Sequence, residues 1–144
     1  MDLDKIKQAL IEKGADWNQR SERRIYAKID KTKLIDVADF LFNKAGARFA
    51  TASGVDCRKH MEIVYHFALD KVATVLSVMA RIDKESLEIE SLTQLFKAAD
   101  WVEREMHELL GIKFLNHPDL SHLLLDDDWP EGNYPLRRYT EDTD

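Results

Sequence analysis

Glu103, Glu105, His107 and Glu108 crowd four ionisable side chains into six residues, the densest concentration of acid–base chemistry in this sequence. A histidine beside a carboxylate is the minimal general acid–base pair, and Glu105 or Glu108 with His107 would supply one. The same residue types bind metals, but a helix-borne zinc pair needs two histidines at i and i+4. Here Glu103 stands four residues before His107, with no second histidine and no His-Glu-x-x-His order. His117 and His122 are five apart and follow no helical register, since His117 precedes a proline that biases it away from helix. Cys57, the single cysteine, lies near a turn with no adjacent histidine to activate it as a nucleophile. His60 and His66 fall on the polar side of an alternating run, where histidines are usually surface residues. Glycine-rich phosphate loops are absent. These spacings predict no cofactor or metal held by the chain, and they favour a docking role for the cluster over a catalytic one. The rival is a small free-standing acid–base enzyme, which requires a concave pocket around His107; an adaptor for an unrelated partner is a third reading.

The element that must carry this cluster is a helix opening at Asp100 and stopping at Gly111. Asp100 with Glu103 three residues on has the spacing of a capping box, and Gly111 supplies a left-handed stop. Val102, Met106, Leu109 and Leu110 form the core-facing stripe, which leaves Glu103, Arg104, His107 and Glu108 toward solvent or a partner. Trp101, Glu105 and Glu108 share a second stripe that suits docking. After the helix, His117-Pro118-Asp119 reads as a turn, with Asp119 placed to cap the short segment 120–125.

Before that helix the chain alternates between the two regular periods. Leu3, Ile6 and Leu10 behind Asp2, with Gly14 beyond, predict a helix over 2–13. A polar link around Asn18 leads to a strand over 23–30, with Ile25, Ala27 and Ile29 on one side. Thr32 is placed to cap a second helix whose stripe is Leu34, Val37, Ala38, Leu41 and Ala45, ending at Gly46. Three strand-like runs follow: 48–52 before a Ser53-Gly54 turn, then Met61 to Leu69, then Leu76 to Ile82. The last two are joined so closely that they must form an antiparallel hairpin. The charged residues 84–90 read as loop. The fold class predicted is α+β: a small, mainly antiparallel sheet with helices packed on one face and an extended C-terminal tail. Residues 1–120 form the core domain and 121–144 the partner-binding tail.

Composition bounds the function classes. A chain of 144 residues suits one domain, which buries about 70% of the surface its unfolded form exposes. The net charge of -6 argues against nucleic acid, whose phosphates need a basic face. One cysteine excludes an internal disulfide and an iron–sulfur cluster held by this chain alone, and it favours a cytosolic setting. The N-terminus does not read as a signal peptide, and no run is long and apolar enough to span a bilayer, so attachment to a membrane would come only through partners. The tail from Asp126 to Tyr139 concentrates Trp129, Pro130, Tyr134, Pro135, Arg137 and Arg138. Tyr, Trp and Arg are the residues enriched at binding hot spots, so the tail either wraps its own domain or lies on another protein.

Residues Ser91-Leu92-Thr93, Ala99 to Glu105, Gly111-Ile112, Phe114, His117-Pro118-Asp119-Leu120 and Pro135-Leu136-Arg137-Arg138 occur in the order of a known signature. The sequence resembles the 30 kDa subunit of respiratory complex I, the NADH-quinone oxidoreductase. Quinone-reductase members usually carry an aromatic and Asp where this chain has His107-Glu108, an aromatic at Leu110, and an Arg pair at Ser121-His122. Glu-Met-His-Glu-Leu looks more like the homologous subunit of membrane-bound, energy-converting nickel–iron hydrogenases. The resemblance implies a subunit of the peripheral arm, without a redox centre, that packs on the large catalytic subunit, the quinone-site or nickel–iron subunit, beside neighbouring iron–sulfur subunits at the cytoplasmic face of the membrane. The interface would be formed by Trp101, Glu103, Arg104, Glu105, His107, Glu108, His117, Pro118, Asp119, Trp129, Pro135, Arg137 and Arg138, with the two terminal arginines pairing partner carboxylates.

Overall fold

The computed structural model describes residues 1–120 and 134–137. In chain order the elements are α1 (Leu3–Glu12), β1 (Asp16–Gln19), β2 (Arg24–Ile29), α2 (Leu34–Asp39), β3 (Arg48–Asp56), β4 (His60–Leu69), β5 (Thr74–Asp83), β6 (Glu88–Glu90), α3 (Ala99–Leu110) and β7 (Lys113–Leu115). Five strands form one sheet in the order β1-β2-β5-β4-β3, antiparallel except where β2 runs parallel to β5. The expected β4–β5 hairpin and the α+β class are both present.

Register explains how the sheet makes a core. Ile25, Leu76, Phe67 and Phe49 align across four strands, as do Ala27, Val78, Tyr65 and Ala52. Alternation then places Ile29, Ala80, Ile63, Ile82 and Met61 on the same side. That side is buried and joins one continuous cluster with Ile6 and Leu10 of α1, Leu34, Val37 and Ala38 of α2, and Met106 and Leu110 of α3. Phe42, Phe49, Phe67 and Phe96 stack at one end of it, with centroids 4.9 to 6.4 Å apart. The opposite side carries Tyr26, Val64, His66, Met79 and Glu62, none of them fully buried.

Four local expectations are corrected. Residues around Asn18 form β1, an edge strand whose polar composition hid it. Ser53 and Gly54 do not turn; they lie inside β3, which runs on to Asp56. Gly54 is needed there because a Cβ would come within 2.5 Å of Leu110 Cδ1, so its bare backbone lets α3 seat on β3. Asp30, not Thr32, caps the second helical segment: its carboxylate accepts from the Thr32 amide and hydroxyl, opening a 3-10 turn that leads into α2. The supposed loop 84–90 contains β6, which pairs in parallel with β7 across the length of α3, a non-local pairing of three-residue strands that local pattern cannot signal.

Candidate functional site

The site assembles around α3. Its start has no side-chain cap: the N-cap is Ala98, and Asp100 lies in the first turn. The capping-box expectation therefore fails, because Glu103 is used elsewhere. Its Oε1 accepts from the Ser91 hydroxyl at 2.6 Å and its Oε2 from the Leu92 amide at 2.8 Å. Ser91 in turn accepts from the Thr93 amide, capping the 3-10 turn at Leu92–Gln94. Glu103 is 1% exposed and lies beside the buried hydroxyl of Tyr65. Burial pushes its carboxyl up to about 7, against the pull of the two hydrogen bonds from Ser91 and Leu92, and the Asp100 charge adds to the rise. The Tyr65 phenol is raised well above its ordinary value by burial and by the neighbouring Glu103.

Glu103 and Glu108, read from the helical stripe as solvent-facing, are both buried. The stripe assumption fails for Glu103 because the Ser91 turn covers α3 beside the sheet and takes its carboxylate. Val102 and Leu109, assigned to the core, are correspondingly only half-buried. What α3 does present is Trp101, 64% exposed, with the Arg104 guanidinium 5.7 Å from its ring centroid, and Glu105, also exposed.

His117 closes the N-terminal end. Its side chain is wholly buried, with Nε2 2.9 Å from Asp100 Oδ1, a close electrostatic contact whose angle falls short of a hydrogen bond. Nδ1 accepts from the Asp119 amide at 3.0 Å, which places the proton of a neutral ring on Nε2, toward Asp100. The turn thus holds Pro118 and Asp119 outward, both exposed. Between this turn and the Ser91 segment lies a cleft of about 440 Å³, lined by Thr93, Gln94, Lys97, Asp100, Asn116 and Pro118.

At the other end, Gly111 adopts φ 83° as the left-handed cap that was expected. Residues 134–137 lie on this cap. Leu136 donates its amide to Leu109 O at 3.0 Å, and Arg137 donates from Nε and Nη2 to Leu110 O at 3.1 and 2.7 Å. A guanidinium on the last carbonyl of a helix satisfies an orphan acceptor and complements the helix dipole. Arg137, expected to meet a partner carboxylate, is used within the chain. His107 is likewise tied down, with Nδ1 2.8 Å from Ile112 O, and Glu105 and Glu108 diverge to exposed and buried sides of the helix. Trp129, Arg138, Ser121, His122 and the segment 121–125 lie outside the described residues.

The residues of the signature are therefore neighbours in space: Ser91-Leu92 is fastened to Glu103, His117 approaches Asp100, and Leu136-Arg137 seals Gly111. The family model for the 30 kDa subunit of respiratory-chain NADH dehydrogenase matches residues 27–143. The chain belongs to this family. Among curated relatives, a subunit of the F(420)H(2) dehydrogenase of Methanosarcina mazei is 40% identical over 139 residues, covering 93% of this chain and 84% of that protein. Formate hydrogenlyase subunit 5 of Escherichia coli is 31% identical over 130 residues, 88% of this chain but 22% of that longer protein. The corresponding subunit of the NADH-quinone oxidoreductase of Chelativorans sp. is 33% identical over 92% of this chain and 68% of its own length. The fold is also that of a chain in the membrane-bound sulfane sulfur reductase, an archaeal respiratory membrane complex, with a TM-score of 0.81 at 23% identity over 92% of this chain and 81% of that one. A trypsin-resistant fragment of Nqo5 superposes with a TM-score of 0.73 at 20% identity, covering 83% of this chain and all of the fragment. The family thus spans both the dehydrogenase and the hydrogenase-type relatives that the sequence resembled. Among the described residues, no helix is long and apolar enough to cross a membrane.

The buried Glu103 anchor was invisible to sequence reasoning because its partners lie 11 and 12 residues away across a turn. The signal available was the co-occurrence of Ser91-Leu92-Thr93 with Glu103 in one signature.

Proposed function

We propose that this chain is a non-catalytic structural subunit of the peripheral arm of a complex-I-like oxidoreductase, of the NADH-quinone or energy-converting hydrogenase type. It docks on the large catalytic subunit, adjoins iron–sulfur subunits, and reaches the cytoplasmic face of the membrane only through the complex. The observation that carries the reading is Trp101: a family-signature tryptophan, 64% exposed and stacked with Arg104 on a helix that is otherwise pinned at both ends. Trp and Arg are among the residues enriched at interface hot spots. Glu105, Pro118 and Asp119 extend this surface, and the tail 121–144 is assigned to the same partner on its content of Trp, Tyr and Arg. His117, Glu103, His107 and Arg137 serve it indirectly, by fixing the helix and turn that present it.

Affinity purification of the large subunit with this chain tests the reading. Trp101→Ala should weaken association by about 2 kcal/mol or more while leaving the melting temperature of the isolated chain unchanged, and deleting residues 126–144 should weaken it further. Association unaffected by either change would overturn the assigned interface.

A further inference from the structure

The β3–β4 hairpin brings together three metal-ligating side chains that the docking surface does not use. Cys57 donates its amide to His60 O at 2.9 Å, so these two residues face each other as the closing pair of a hairpin whose two-residue loop is Arg58-Lys59. Below them Asp56 pairs with Met61, and Val55 with Glu62. Alternation places His60 and Glu62 on one side of β4, the side away from the core, and Cys57 opposite His60. The ligand atoms of Cys57, His60 and Glu62 all lie within 4.8 Å of one another, and His60 Nε2 is 3.0 Å from Glu62 Oε1. All three residues are half-buried, sheltered enough to be ordered and open enough to admit an ion.

We propose that Cys57, His60 and Glu62 form a three-ligand site for a zinc-class divalent cation, with the fourth tetrahedral position open. One thiolate, one imidazole and one carboxylate is a donor set suited to zinc. Metal–ligand bonds of about 2.0–2.3 Å place tetrahedral ligands about 3.3–3.8 Å apart. His60 and Glu62 must part slightly and Cys57 close in, movements within the reach of side-chain rotation while the hairpin backbone stays fixed. A thiolate and a carboxylate neutralise a divalent charge, and the thiol proton passes to solvent on binding. The Arg81 guanidinium, with Nε 3.5 Å from Glu62 Oε1, is the cation the metal must displace from that oxygen. The ion pair of Lys84 with buried Asp56, 2.6 Å, fixes the strand end that carries Cys57.

Because Cys57 is the single cysteine, the reactivity of one thiol reads the site. In the reduced, full-length chain, one equivalent of Zn²⁺ should slow labelling of Cys57 by a disulfide reagent by about tenfold, Mg²⁺ should not, and Co²⁺ should give a thiolate charge-transfer band with tetrahedral visible absorption. His60→Gln and Glu62→Gln should each weaken Zn²⁺ protection by tenfold or more. Protection that survives His60→Gln, or an octahedral cobalt spectrum in the wild-type chain, overturns the proposal independently of how well any variant folds.

Discussion

Glu103 is where residue-scale energetics is sharpest. A carboxyl raised from 4.5 to about 7 is protonated in the folded chain over a range where the unfolded chain is ionised. Its contribution to stability is fully present below about pH 4.5 and is lost as pH rises through about 7, some 3 kcal/mol in all. Glu103→Gln should abolish that loss. Its amide oxygen can take the Leu92 amide while its NH2 donates to Ser91, whose hydroxyl turns toward Thr93, as the protonated acid would also require. The difference in unfolding free energy between variant and wild type should therefore grow by about 3 kcal/mol between pH 4.5 and 8, measured by urea denaturation. Glu103→Ala instead strands the Leu92 amide and costs about 1–3 kcal/mol at pH 4.5. A flat difference for the glutamine variant would show that Glu103 is ionised in the fold throughout.

At the scale of the element, α3 is held by contacts at its ends as well as by its amphipathic face. Its N-terminal end has no side-chain cap but gains the His117 turn; its C-terminal end gains Gly111 and residues 134–137. Gly111 carries two constraints together. Its φ is 83°, and a Cβ there would sit 2.6 Å from both Arg137 Nη2 and the Tyr134 ring. Gly111→Ala should cost about 1–2 kcal/mol for the backbone alone and also dislodge Arg137 from Leu110 O. Hydrogen exchange checks this: the Leu136 amide, bonded to Leu109 O, should lose its protection in the variant while the β4–β5 amides keep theirs. The sequence predicted the glycine stop but not the arginine that covers it, since 27 residues separate Arg137 from Leu110.

Over the whole molecule, the core cluster is continuous from α1 through the five-stranded sheet to β6, β7 and α3. Leu92, fully buried in the turn that Glu103 fastens, belongs to the same cluster as the buried residues of both sheets. Leu92→Ala should cost about 2–5 kcal/mol and still give one unfolding transition, coincident by circular dichroism and tryptophan fluorescence; separate transitions would mean the two sheets fold as independent units. Sequence periodicity by itself determined the long elements, α1, β2, α2, β4, β5 and α3, together with the class and the hairpin, because burial of one face imposes a repeat that neighbours in sequence display. It also ordered the signature that marks the family. Only the tertiary structure decided that Glu103 and Glu108 turn inward, that Gly54 lies within a strand, that β6 meets β7, and that Cys57 and Glu62 converge on His60. All but the last depend on a surface brought from elsewhere in the chain, and the last on where the β3–β4 hairpin closes; a side chain's environment is set by what packs against it, which local pattern does not encode.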